Sequence, residues 1–190
     1  MEHECVQIVT QRISSSKLLV SESEDRWIHT GPGLVLYVSF ITSSEPEHAS
    51  PLIDRFAKII KGLMTAKLAT VSGWKTDHSD AESVQNLVNN TDLGEPFNLV
   101  VIPQATLAGK LKPGDKYLKY HRQVDKDRGL QLYRAFLVEL AKFFSSQTID
   151  VTTNQCEIVP NRLVLSWGTY GGRQGFEMVS TGPSTHFFQY

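Results

Sequence analysis

The sequence predicts an α+β fold made mostly of antiparallel strand pairs, and three observations carry that expectation. Seven or more short runs rich in β-branched and aromatic residues read as strands. Only two segments keep the 3.6-residue apolar period of an amphipathic helix. The helices do not alternate with the strands, which argues against a parallel βαβ array. A chain of 190 residues, 41% hydrophobic and 21% charged, fits one domain over residues 1–190 that can bury a real core.

The elements follow in chain order. Residues 5–13 (CVQIVTQRI) and 17–21 (KLLVS) read as two strands around Ser14-Ser15-Ser16. Trp27-Ile28-His29 leads into the turn Gly31-Pro32-Gly33, and Leu34 to Phe40 is a β-branched and aromatic run suited to a central strand. Ser50-Pro51 starts a helix, with Ser50 at the N-cap, Pro51 at the first helical position and Asp54 in the first turn. Its apolar face is Leu52, Ile53, Phe56, Ile59, Ile60 and Leu63. Residues 70–96 are polar and weakly periodic, an insertion between two strands with no evident purpose. Leu99 to Ile102 is a strand that Pro103 must end or bulge, because proline cannot donate to a ladder in mid-sheet. A second helix is expected from about Asp127 to Phe144, with Leu130, Tyr133, Leu137, Leu140 and Phe144 on one stripe and Phe136 widening it. Leu163 to Trp167, Gly175 to Ser180 and Thr185 to Tyr190 read as three more strands.

Several function classes are excluded or disfavoured. The start MEHECVQIVTQR has no apolar core after a basic lead, and no window reaches 18 apolar residues, so a cytoplasmic protein that neither enters nor spans a membrane is expected. In that compartment Cys5 and Cys156 are reduced, and the sequon Asn89-Asn90-Thr91 is void. The six histidines show no ligand spacing and neither cysteine has a near neighbour, so no metal is expected. No nucleophile elbow or phosphate-binding loop occurs; the glycine-rich Gly168 to Arg173 lacks the lysine and hydroxyl pair such a loop needs. No organic cofactor is implied. The net charge of −1 hides an asymmetry: seven cations between Lys110 and Arg128, Lys110, Lys112, Lys116 and Lys119 among them, face three aspartates. That local +4 fits a solvated loop or a phosphate-binding patch.

Two stretches stay unexplained by this scheme, Pro103-Gln104-Ala105-Thr106-Leu107 and Ser180-Thr181-Gly182-Pro183-Ser184-Thr185. In this order and strand pattern they resemble the two motifs of the D-aminoacyl-tRNA deacylase family, Ser-Gln-Phe-Thr-Leu and Asn-x-Gly-Pro-x-Thr. The Pro-Gln-Ala-Thr-Leu form, the Gly168 to Gln174 stretch and Tyr120-His121 are closest to its animal-type branch. The likeness runs from Gln11-Arg12 to the C-terminus; only residues 70–96 and roughly 145–160 look foreign.

The resemblance implies a barrel-like body of mostly antiparallel sheets with two helices packed on it. It implies a homodimeric hydrolase that frees tRNA of a wrongly attached amino acid, with neither metal nor cofactor. Gln104, Ala105 and Thr106 would be the catalytic stretch. A strand broken at Pro103 leaves the N–H groups of Ala105 and Thr106 available to an oxyanion. Pro103 replaces the family's serine, so no serine nucleophile stands there; Thr106 would orient, with the substrate's 2′-OH relaying the proton. Pro103, Gly182, Pro183, Ser184 and Thr185 would line the aminoacyl pocket. The Gly-Pro bond is cis in the standard branch and trans in the animal-type one, which admits L-alanine; sequence leaves this bond open. Arg173, or Arg12 in competition, would fix the dipeptide, and Tyr170 would stack on the terminal adenine; a surface ion pair and a core position serve these residues equally well. A different class, a non-catalytic tRNA or single-stranded RNA binding module using the 110–128 patch, also fits the charge pattern.

Overall fold

Along the chain the elements are β1 (His3–Ser21), β2 (Arg26–Thr30), β3 (Gly33–Ser43), α1 (Leu52–Thr65), α2 (Val84–Asn89) and β4 (Phe97–Pro103). A 3-10 turn at Ala105–Ala108 follows, then β5 (Gly109–Lys110), β6 (Lys119–Tyr120), α3 (Lys126–Phe144), β7 (Gln155–Val159), β8 (Leu163–Trp167) and β9 (Phe176–Gln189). The computed structural model describes residues 3–43, 50–70, 81–89, 93–146 and 148–190, and only the backbone of Thr181 and Pro183.

The sheet is assembled on β1. One edge of β1 pairs with β3 from His3 to Ile13 and with β2 from Ser16 to Ser21; the other edge carries β9. From β3 the sheet continues through β4 and β8 to β7, and curls into a half-barrel. Antiparallel pairings outnumber parallel ones, but β3–β4 and β4–β8 at the centre are parallel. Parallel strands need cover on both faces, and β4 is buried at every position from Phe97 to Ile102.

Alternation along the strands sorts the core into two. Leu34, Leu36, Val38, Leu99 and Val101 face α1 and α3 in the main core, while Val35, Val100 and Ile102 face the other side and meet Ile13, Leu18 and Ile28. The α1 stripe is buried as expected, except that Ile53 looks out and Met64 looks in. On α3 the buried stripe is Leu132, Tyr133, Phe136, Leu137 and Leu140, with Leu132 rather than Leu130 facing the sheet.

Four expectations are corrected. The two strands around Ser14–Ser16 are one, because the serines lie where β1 exchanges β3 for β2 and slips its register against β9. Small hydroxyl side chains fit that bend: the Ser16 and Thr30 hydroxyls share a 2.7 Å bond, and Ser14 Oγ donates to Val179 O at 3.2 Å. Gly175 to Ser180 and Thr185 to Tyr190 are likewise one strand. Ser180 pairs with Ile13 and Thr185 with Gln11, so residues 181–184 bulge opposite Arg12. Helix α1 begins after Pro51, whose ψ of 146° is extended, and no side chain caps it. The regions that looked foreign are built into the fold: β7 forms the far edge, and α2 buries Val84, Leu87 and Val88. Residues 71–80 and 90–92 of the expected insertion lie outside the described residues.

Candidate active site

The last ladder bond of β4 is Gln104 N to Val38 O, 2.8 Å. Beyond it the chain leaves the sheet, as the proline requires, and Leu107 N closes onto Gln104 O at 3.2 Å. No acceptor among the described residues takes the N–H of Ala105 or Thr106, and both residues are exposed. The turn is held from outside by Gln123, whose Nε2 donates to Ala105 O at 2.7 Å. Within it, Gln104 Nε2 donates to Thr106 Oγ1 at 2.5 Å.

These residues form one wall of a cleft of about 330 Å³, within the range of small-molecule sites. Val38 to Phe40 form a second wall, and Gln123, Lys126 and Tyr170 to Gly172 complete it. Behind the cleft the buried Tyr133 hydroxyl faces the carbonyls of Val101 and Gly168, each at 3.0 Å, and so ties the ends of β4 and β8 together. Tyr170 packs on Tyr133 with ring centres 5.5 Å apart. Its hydroxyl lies where a side chain on residue 129 would begin, 1.9 Å from that Cβ position, which only Gly129 permits. Burial first and Asp125 second push the Tyr170 phenol up, so it is a protonated donor at neutral pH.

The second motif sits elsewhere. Gly182 lies opposite Arg12, in the row of Leu34 and Leu99. It is therefore about 13 Å along the strand direction from Pro103 and three strand spacings to one side. Of the described residues of this stretch, neither Ser180 and Gly182 nor Ser184 and Thr185 line the cleft. The bulge is held by Gln11: its Nε2 donates to Ser180 Oγ at 2.8 Å and to Gly182 O at 3.2 Å, and its Oε1 accepts from Thr185 Oγ1. Ser180 Oγ donates to Gly182 O at 2.7 Å. Ser184 is half-buried in the bulge. Gly182 adopts φ of 119°, and no cis peptide bond occurs among the described residues.

Among the described residues neither Arg12 nor Arg173 bonds Gly182: Arg12 Nε donates to Leu68 O at 2.8 Å, and Arg173 stands 3.5 Å from Glu22 with an exposed side chain. Tyr170 does reach the cleft. Lys110, Lys112, Lys116 and Lys119 are exposed on the β5–β6 hairpin, where Lys119 bonds Asp115 at 2.8 Å. That contact and the Lys112 N–H hold the Asp115 carboxyl below its usual range. Sequence reasoning missed Gln11 and Gln123, and counted Lys126 only among the cations of the 110–128 cluster. Gln11 carried a signal, a polar residue inside the apolar alternation of β1; Gln123 carried none. Among the described residues no cluster of three histidines, cysteines or carboxylates is placed to hold a metal ion, and no helix is long and apolar enough to cross a membrane.

The first motif thus sits at a cleft walled by unpaired main-chain donors on an α+β half-barrel. The D-Tyr-tRNA(Tyr) deacylase model matches residues 9–189, and the chain belongs to that family. The D-aminoacyl-tRNA deacylase 2 of Danio rerio is 28% identical over 96% of this chain and 98% of its own length. That of Homo sapiens is 29% identical over 87% and 80%. A solved structure of a probable eukaryotic D-amino acid tRNA deacylase superposes over 98% of this chain and all of its own with a TM-score of 0.72, at 22% identity.

Proposed function

We propose that the chain hydrolyses the ester between a wrongly attached amino acid and the 3′-terminal ribose of tRNA, taking D-amino acids, glycine or L-alanine. The observation that supports it is the pair of main-chain N–H groups at Ala105 and Thr106, unpaired and exposed at the cleft wall. Such donors stabilise a tetrahedral oxyanion, each typically contributing about 10²–10³ in rate. An aminoacyl ester is activated by its neighbouring ammonium and hydroxyl groups and needs no strong nucleophile. Water attacks the carbonyl carbon, the oxyanion faces the two N–H groups, and the substrate's 2′-OH passes the proton to the departing 3′ oxygen. Thr106 Oγ1, held by Gln104, orients the water. Tyr170 offers its ring to the adenine.

The separation of the two motifs adds a condition. If Gly182-Pro183 lines the aminoacyl pocket, it must come from a second copy, whose β9 bulge meets this chain's cleft. Met178, Val179 and Phe187 are exposed apolar side chains on the same strand, suited to such an interface. The active form is then a homodimer with two composite sites.

The test is a panel of D-Tyr, Gly, L-Ala and L-Tyr esters on identical tRNA. Release of the first three with L-Tyr spared is expected. Intact esters throughout, with charged tRNA bound, would make the chain an RNA-binding module.

A further inference from the structure

A second polar pocket of about 210 Å³ lies on the far side of the 3-10 turn from the cleft. Leu107 and Gly109 line its near wall, Lys110 and Arg122 supply its cations beside the His121 ring, and Gln7 and Gln189 lie across from them. Arg122 keeps a left-handed backbone, φ 62°, which costs an arginine more than a glycine. Its carbonyl accepts from Thr42 N at 2.6 Å, which anchors the cation where the hairpin returns to β3.

Above the pocket stands the β5–β6 hairpin. Tyr117 and Tyr120 are 80% and 50% exposed. The Tyr120 ring lies over Gly109, 3.4 Å from its Cβ position, and so borders the pocket. Asp115 is occupied inside the hairpin by Lys119 Nζ and Lys112 N, so the outward charge of this surface is positive. Exposed aromatic rings among lysines, leading to a cationic pocket, form a surface for single-stranded nucleic acid: rings take base faces and cations take phosphates.

We infer that the β5–β6 hairpin seats the single-stranded 3′ end of an RNA, with bases stacked on Tyr117 and Tyr120 and a phosphate held at Lys110, His121 and Arg122. The pocket and the cleft adjoin along the 3-10 turn, β3 and the 121–124 segment, so a strand seated there delivers its terminal ribose around the turn to Ala105 and Thr106. This deepens the preceding reading and rests on it for the reaction, but not for the binding.

The experiment uses the full chain and uncharged RNA: a fluorescent stem-loop with a roughly four-nucleotide 3′ overhang, and the same stem-loop with a blunt end. Wild type should bind the overhang at least about tenfold more tightly, and Tyr117→Ala/Tyr120→Ala should lose that preference while Tyr117→Phe/Tyr120→Phe keeps it. Arg122→Gln should flatten the salt dependence of overhang binding by about 0.7 in log–log slope, one single-strand phosphate. Equal wild-type affinity for both RNAs overturns the inference, as does an alanine variant that keeps the preference. So does an alanine variant that turns monomeric in sedimentation with its RNA binding unchanged, which would give the surface to a second copy. No ester enters this assay: overhang binding without deacylation in the charged panel would sink the hydrolase reading alone, and deacylation without overhang preference would sink this inference alone.

Discussion

The turn after β4 and the bulge in β9 carry the two motifs, and they differ in how much of their surroundings one chain supplies. The turn is enclosed: Val38, Gln123 and Gln104 bond it, and β3, α3 and the 170–172 loop wall its cleft. The bulge is held from behind by Gln11 and Ser180 but faces open space, and a Cβ on Gly182 would meet nothing within 4 Å among the described residues. On the proposed reading, a chemical surface and a specificity surface are built by one sheet at two ends. The first would be complete in one copy, and the second would meet something outside it.

The largest effect should come from the open side. In Gly182→Ala a side chain is forced to a φ of 119°, at a cost of about 1–3 kcal/mol of local strain. If the bulge meets a partner's cleft, that methyl also enters the aminoacyl pocket. A drop of about 10²-fold in kcat/KM is expected, with tRNA affinity kept. Activity within twofold of wild type would detach the bulge from catalysis.

Next come the two glutamines that hold the stretches, one each. Gln123→Ala frees the Ala105 carbonyl and lets the oxyanion donors drift, which should lower kcat about tenfold. That is less than the about 10²–10³ of losing a donor outright. Gln11→Ala should instead act on selectivity, raising L-Tyr ester hydrolysis relative to D-Tyr as the bulge loosens. Equal kcat losses in both variants, with selectivity unchanged, would erase the distinction between the two regions.

Much of the enclosed side was legible in the sequence. A proline after four apolar β-formers announces a strand end, and the unpaired N–H groups follow from that. The strand bordering the cleft and the positions of α1 and α3 could be read from local periodicity, whereas Tyr170 was singled out only by the resemblance of the Gly168 to Gln174 stretch to the family. What could not be read depended on contacts distant in sequence. Ser14–Ser16 and Thr181–Ser184 carry local turn chemistry, yet pairing on β1 overrode it and kept both strands continuous. The resemblance pointed to the arginines at the dipeptide, whereas among the described residues it is the neighbouring neutral Gln11 that bonds the Gly182 carbonyl. Gln123 acts across 18 residues and looks like any loop glutamine.

Thr106→Ala should cost less than tenfold in kcat, because the side chain orients water while the main chain bears the charge. Complete loss of turnover, with fold and tRNA affinity intact, would move the chemistry onto the hydroxyl.

The smallest expected effect on activity is that of Tyr133→Phe, which probes the support behind the enclosed side. Gly168 N also donates to Val101 O at 2.9 Å, so removing the hydroxyl strips a donor chiefly from the buried Gly168 carbonyl. The expected cost is about 1–2 kcal/mol of stability, or about 2–8 °C in Tm for a chain of this size. The kcat/KM should stay within about threefold, since the phenol touches Tyr170 and not the turn. Alkaline stability gives a second readout with a definite sign. Burial pushes the Tyr133 phenol well above its ordinary value. The folded state therefore binds its proton more tightly than the unfolded one. That stability is full below the unfolded pKa of about 10 and is lost as pH rises from there through the folded pKa. Guanidinium unfolding at neutral pH and above pH 10 should show a steeper alkaline loss in wild type than in Tyr133→Phe. Identical losses would assign the effect to Tyr37, Tyr170 and Tyr190, whose phenols burial also raises. The hydroxyl under the turn would then be only a hydrogen-bond donor.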